Sequence, residues 1–141
     1  MAAILRVYGI MLLKGMGQTL LMTLLTLVIA TIIGMIFGLM NVGHNRVLNL
    51  IGTIYVDAVR GVPLIVLAYF VFFGIPAGMQ GMGMRGFRLS ALQAGTIALS
   101  LNCGAYMAEI IRAGIESVDR GQMEASRSLG LSYGSSMALV V

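Results

Sequence analysis

The sequence predicts an all-α protein, a polytopic membrane helical bundle forming one domain over residues 1–141, on three observations. Composition is the first: 59% of residues are apolar and only 10% are charged, where a soluble domain carries about 25%. With a mean hydropathy of +0.97, the chain has too few charges to cover a water-facing surface. The second observation is three long segments without a charged residue, 18–40, 62–80 and 89–108. The third is a closing segment, 119–141, that turns polar and reads as helix, turn, helix.

Composition also excludes several functions. The net charge of +4 is modest and unclustered, so there is no electrostatic footprint for nucleic acid. The single cysteine, Cys103, rules out an internal disulfide and a cysteine metal cluster; it reads as a small apolar filler within a span. No Walker phosphate loop, HExxH or GxSxG sequence occurs. No residue is assigned a catalytic role, no metal or cofactor is expected on this chain, and ATP chemistry would have to reside on another one.

The first span, Gln18–Met40, has 23 residues, roughly 35 Å of helix against a hydrocarbon layer of about 30 Å. It is too long for a signal-peptide core and reads as retained. Gly34 and Gly38 form a GxxxG, a spacing that permits close helix contact. Residues 45–61, NRVLNLIGTIYVDAVRG, mix apolar positions with Arg46, Asp57 and Arg60. They predict an amphipathic helix at the membrane interface or a short span-entry helix. Residues 3–15 read the same way, on the opposite surface.

Pro63 suits the first turn of the second span, where its missing N–H costs nothing. Pro76 is expected to end or kink that helix, and the glycine-rich stretch 74–86, GIPAGMQGMGMRG, reads as a surface loop. The third span carries Gln93, Thr96, Ser100 and Asn102. Polar groups there must face protein or a water-filled path, so they either bond neighbouring helices or line a substrate route. Glu109 and Arg112 follow at i, i+3, a spacing for a local ion pair or for contact with the closing helix. With the N-terminus outside, inner segments hold Arg46, Arg60, Arg112, Arg120 and Arg127, against Arg6, Lys14, Arg85 and Arg88 outside. That bias follows the positive-inside rule only weakly.

In the closing segment Asp119 can cap a helix with Gln122 as its capping-box partner. Met123, Ser126 and Leu129 fall on one face, with Glu124 and Arg127 beside it. Gly130 can take the positive φ of a helix end, and Ser132 can cap a second helix.

Glu124-Ala125-Ser126, three residues, then Gly130 resembles the EAA loop of binding-protein-dependent ABC importer permeases, Glu-Ala-Ala-x3-Gly-x9-Ile-x-Leu-Pro. Ser126 stands for the second Ala and Val140 for the Ile, both mild changes; the Leu-Pro position falls beyond Val141. Residues 105–132, AYMAEIIRAGIESVDRGQMEASRSLGLS, resemble the subfamily that imports polar amino acids: histidine, glutamine, glutamate, arginine and opines. So do residues 55–76, where Arg60-Gly61-x-Pro63-Leu64 is similar to that subfamily's RGxPL, and residues 17–39 as its first span.

The resemblance implies a type-I ABC importer permease in a bacterial inner membrane, with an external N-terminus and five spans. Three are present, so the chain is expected to be incomplete at its C-terminus. It implies a second permease subunit, as homodimer or heterodimer, together forming the translocation path through membrane lipid. It implies a cytoplasmic ABC ATPase gripping Gly121, Gln122, Met123, Glu124, Ala125, Ser126, Leu129 and Gly130. It implies an extracytoplasmic substrate-binding protein facing residues 76–88 and the segment before Gly17. The competing reading is a small membrane scaffold or channel subunit without an ATPase, which leaves the order of the motif blocks to coincidence. An intramembrane enzyme is disfavoured because the only histidine, His44, lies in a loop.

Overall fold

A computed structural model describes the backbone of residues 2–140 and the side chains of residues 8–140; the Arg6 side chain counted above lies outside the described residues. Seven α-helices follow in order: α1 (Ala2–Val42), α2 (Arg46–Gly61), α3 (Leu64–Tyr69), α4 (Ile75–Gly81), α5 (Ala91–Glu116), α6 (Arg120–Ser128) and α7 (Tyr133–Leu139). A π-helical turn, Phe70–Gly74, joins α3 to α4. Three stretches are long and apolar enough to cross a membrane: Tyr8–Val42, Leu64–Gly81 and Ala91–Glu116.

Helix α1 corrects the expectation of a separate N-terminal surface helix, because residues 3–15 run unbroken into the first span. Gly15 and Gly17 weaken helix propensity by about 1 kcal/mol each but leave the backbone ladder intact. Thr19 Oγ1 also donates to the Gly15 carbonyl at 3.0 Å. At 41 residues the helix is roughly 60 Å long, more than one bilayer core.

The centre of the fold is the α1–α5 pair. The contacts Met22–Gly95, Gly34–Met107 and Gly38–Ile111 keep a constant offset, so the two helices run parallel and in register. Gly34 and Gly38 make this possible. A Cβ on Gly34 would stand 2.5 Å from Met107 Cβ, and one on Gly38 would stand 3.0 Å from the Ala108 carbonyl and from Ile111. The GxxxG is therefore a helix interface within this chain. Helix α5 answers with small residues, Gly104 against Ile33 and the buried Ala108 against Gly34 and Gly38. The opposite stripe of α1, Leu20, Leu24, Val28 and Ile32, is more than half exposed, which suits lipid tails and not water.

The rod α3–α4 packs on α5 through Val71, Ala94 and Ala98, with Leu67, Phe72, Ile75 and Leu101 around them. The expected loop at 74–86 is corrected: helix continues through Pro76 to Gly81. The π turn explains this. Ile75 N–H bonds the Phe70 carbonyl five residues back, and this wide turn admits a proline ring and its missing donor. The helix stops at Gly83, whose φ is +97°. Gly83 N donates to Gln80 O at 3.0 Å and Met84 N to Met79 O at 3.1 Å, the paired bonds of a Schellman end.

Helix α2 packs on the bundle through buried Gly52 and Val56, while Thr53, Asp57 and Arg60 stay exposed. Asn45 caps it, accepting from Val47 N at 2.9 Å. Tyr55 stacks on Phe37 with centroids 4.0 Å apart and donates to the Leu101 carbonyl at 2.8 Å, which ties α2 to both α1 and α5. Its apolar residues Val47, Leu50 and Ile54 point outward and are exposed. Its polar stripe of Asn49, Thr53, Asp57 and Arg60 lines an open cleft against α5.

Candidate coupling hairpin and charged cleft

Because α1 and α5 are parallel, they end together. At that end the α1–α2 turn, α6 and α7 border an open groove of about 800 Å³, lined among others by Val42, His44, Ile115, Met123 and Tyr133. His44 meets Tyr133 edge-on, with centroids 5.8 Å apart, so the α1–α2 turn braces the closing hairpin.

Asp119 caps α6 through its side chain, but its carboxylate accepts from Gly121 N at 2.7 Å. Among the described residues no Gln122 side-chain bond completes the expected capping box. That box occurs instead at the start of α5, where Gln93 Oε1 accepts from Ser90 N at 2.9 Å and Gln93 N donates to Ser90 Oγ at 3.2 Å. The sequence signal was there: Ser-x-x-Gln ahead of an apolar run. Helix α6 ends as expected. Gly130 has φ +88°, Gly130 N donates to Arg127 O at 3.0 Å, and Leu131 N donates to Ser126 O at 3.3 Å. These are the two bonds of a Schellman motif, which needs a left-handed residue at that position. Ser132 Oγ then caps α7, accepting from Ser135 N at 3.2 Å.

The face proposed for α6 divides. Ser126 is buried, Met123 is half-buried, and Leu129 is 86% exposed at the tip. Ser126 Oγ donates to the Met123 carbonyl at 2.8 Å, so the hydroxyl replacing a methyl is satisfied within its own helix. Gly121, Gln122, Glu124, Ala125 and Arg127 are exposed.

The second assembly is a cleft of about 350 Å³ between α2 and α5, with Asn41 of α1 at its edge. Arg112 donates through Nε and Nη2 to both Glu109 oxygens, and through Nη1 to Glu116 Oε2 at 2.6 Å. The expected Glu109–Arg112 pair is thus present. Its further neighbour is α2 and not the closing helix, because Arg60 Nη1 lies 3.8 Å from Glu109 Oε2. Arg60 also lies over the Tyr106 ring at 5.2 Å. Gly61 closes α2, Val62 is extended, and Pro63 precedes Leu64 with its carbonyl accepting from Val66 N at 2.9 Å. The Arg60-Gly61-x-Pro63-Leu64 motif is therefore the elbow between α2 and α3.

The polar residues of the third span separate. Gln93 is a capping residue. Thr96 and Ser100 are buried, and their hydroxyls have no hydrogen-bond partner among the described residues. Asn102 is half-buried. The cleft residues Asn49, Thr53 and Glu116 were not singled out from the sequence, and Asp57 only as a charge on an amphipathic helix. Their signal was the spacing 49, 53, 57, 60, a polar stripe on one face of a helix that is apolar elsewhere.

Residues 30–141 match the family described as the binding-protein-dependent transport system inner membrane component. The chain belongs to that family. The matched region holds the elbow, the cleft and the hairpin, and the family's setting, with three apolar helices, makes this a multi-pass inner-membrane protein. Permease subunits of ABC importers are generally not enzymes themselves. Among family relatives, the probable glutamine ABC transporter permease protein GlnM of Bacillus subtilis is 37% identical over 131 residues, covering 93% of this chain and 57% of the relative. The arginine transport system permease protein ArtQ of the same organism is 37% identical over 125 residues, covering 89% and 54%. A solved structure described as an amino acid ABC transporter with histidines superposes with a TM-score of 0.71 at 34% identity, covering 91% of this chain and 60% of that one. The chain spans little more than half the length of the curated relatives it matches.

Proposed function

We propose that this chain is a permease subunit of an ATP-driven, binding-protein-dependent importer of polar amino acids. Two such subunits form the translocation path. A separate cytoplasmic ABC ATPase grips Gly121 to Gly130, and ATP hydrolysis takes place there, with no cofactor on this chain. An extracytoplasmic binding protein delivers substrate to the side bearing residues 82–90, and the N-terminus is external. Family membership and relatives named for glutamine and arginine transport support the substrate class.

One observation carries the coupling role. The α6 tip is rigidly made, with a capped start and a Schellman end, yet it offers exposed Glu124, Arg127 and Leu129. A preorganised, solvent-facing tip lowers the ordering cost of docking. In proteoliposomes holding the transporter with its ATPase and binding protein, Glu124→Arg should cut ATP-driven glutamine or arginine uptake about tenfold or more, by reversing the charge at the docking face. Membrane insertion should be unchanged. Uptake at the wild-type rate would remove α6 as the coupling contact.

A further inference from the structure

Among the described residues only the second span carries a π turn, Phe70–Gly74. Such a turn holds one residue more than the α form, and single π turns inside α-helices are rare and frequent at functional sites. Pro76 follows two residues later. In the π arrangement the Ile75 N–H reaches the Phe70 carbonyl. In a regular α turn an N–H at 76 would reach Phe72, and proline has none. Each arrangement is imperfect, the π turn through its widened rings and the α turn through the proline. Two imperfect arrangements lie closer in energy than a regular helix and a fault within it. Gly74 also yields to its neighbour, since a Cβ there would stand 3.0 Å from the Phe70 ring. On one side of the turn Leu67 packs with Val71 against α5. On the other, Pro76 is buried and Gln80 Nε2 donates to the Phe87 carbonyl at 2.9 Å. Between these anchors Tyr69, Phe70 and Phe73 are mostly exposed, and Tyr69 stacks on Phe73 with centroids 5.8 Å apart. An open groove of about 340 Å³ runs beside them, with Tyr69, Phe72 and Phe73 on one bank and Ala91, Ala94 and Gly95 of α5 on the other. The α5 bank is built from residues too small to fill it, which leaves the rings room to turn.

We infer that the Phe70–Gly74 turn is a register hinge of the second span. The extra residue moves from this turn toward α3 and back in each transport cycle, which unstacks Tyr69 from Phe73 and swings the Tyr69 ring across the groove. A residue that the extra one passes turns by about 100° around the helix axis, while the helix beyond keeps its place. The span thus changes the side chains it presents without sliding bodily over α5, where Val71 packs on Ala94 and Ala98. This goes beyond the proposed function and rests on it, because the ATP-driven cycle is what moves the hinge.

The test is amide hydrogen exchange on the assembled wild-type transporter in nanodiscs, nucleotide-free and trapped with ATP and vanadate. Exchange at residues 71–75 should differ between the two states by about tenfold or more, the signature of a local opening, while residues 104–108 of the α1–α5 seam stay the same. Equal exchange at 71–75 in both states overturns the hinge, and so does an equal change at 104–108, which would mean general loosening. A second arm removes the device. Deletion of Phe70 together with Pro76→Ala takes out the extra residue and restores a donor, giving a continuous α-helix with both flanks in their present positions. That variant should keep its thermal midpoint and its ATP binding, lose the exchange difference, and take up glutamine or arginine about tenfold more slowly or worse, because the conformational step sets the rate. Uptake at the wild-type rate by the assembled variant overturns the hinge. If the variant fails to assemble, the wild-type exchange comparison decides alone. A wild-type transporter that takes up neither amino acid in proteoliposomes would instead overturn the importer reading, and the exchange comparison would still report on the turn.

Discussion

At the residue scale the hairpin turns on Gly130. Its φ of +88° lies where a β-branched side chain meets its own backbone, a genuine outlier for such residues. A Cβ there would touch nothing within 4 Å, so crowding cannot confound the test. Gly130→Val should therefore abolish coupled transport while the chain still inserts, and Gly130→Asn should retain part of it because Asn tolerates this region better. ATP-driven uptake at the wild-type level by the Val variant would show that the turn is not needed in this form. Gly130 was legible from sequence because a helix stop is a local property: one residue type satisfies one dihedral demand. Arg60 was legible only as part of a motif. Its partners Tyr106 and Glu109 are more than forty residues away, and no local rule brings them together.

At the element scale the spans were readable because length and apolarity are summed over many residues. One boundary and one orientation were not. Pro76 carries a strong local stop signal, but the π turn before it absorbs the missing donor, and packing of Val71 and Ile75 on α5 keeps the rod helical. Helix α2 was recognised as amphipathic, yet periodicity shows that two faces differ without showing which one turns inward. The α1–α5 seam gives the sharpest expectation here. Any side chain at Gly34 must displace Met107, and overpacking of this kind costs about 1–3 kcal/mol. Gly34→Val should lower the thermal midpoint of the detergent-solubilised transporter, while Val at the open position Gly78 serves as an exposed control for the change in propensity. Equal midpoints for Gly34→Val and wild type would mean that the seam is looser than its geometry indicates. The His44–Tyr133 contact adds a second tie at the same end, so movement of the hairpin would reach α1 and α2 as well as α5.

At the scale of the whole molecule, the parallel α1–α5 pair fixes the topology. Two parallel spans in one chain need an odd number of crossings between them, and the α3–α4 rod supplies it. Helix α5 is 26 residues long, roughly 39 Å, which exceeds a hydrocarbon core of about 30 Å. The turn before it and the hairpin after it must then lie on opposite faces of the bilayer. Met82, 83% exposed in that turn, and Gln122, exposed on α6, are suitable reporters once the one native thiol, Cys103, is replaced by Ala. A membrane-impermeant maleimide added to whole cells should label Met82→Cys and leave Gln122→Cys untouched until the membrane is permeabilised. The reverse pattern would keep the fold and invert the proposed orientation, putting the hairpin out of reach of a cytoplasmic ATPase. Labelling of both from the same side would contradict α5 as a complete crossing, and with it the in-register α1–α5 pair on which the cleft and the hairpin are built.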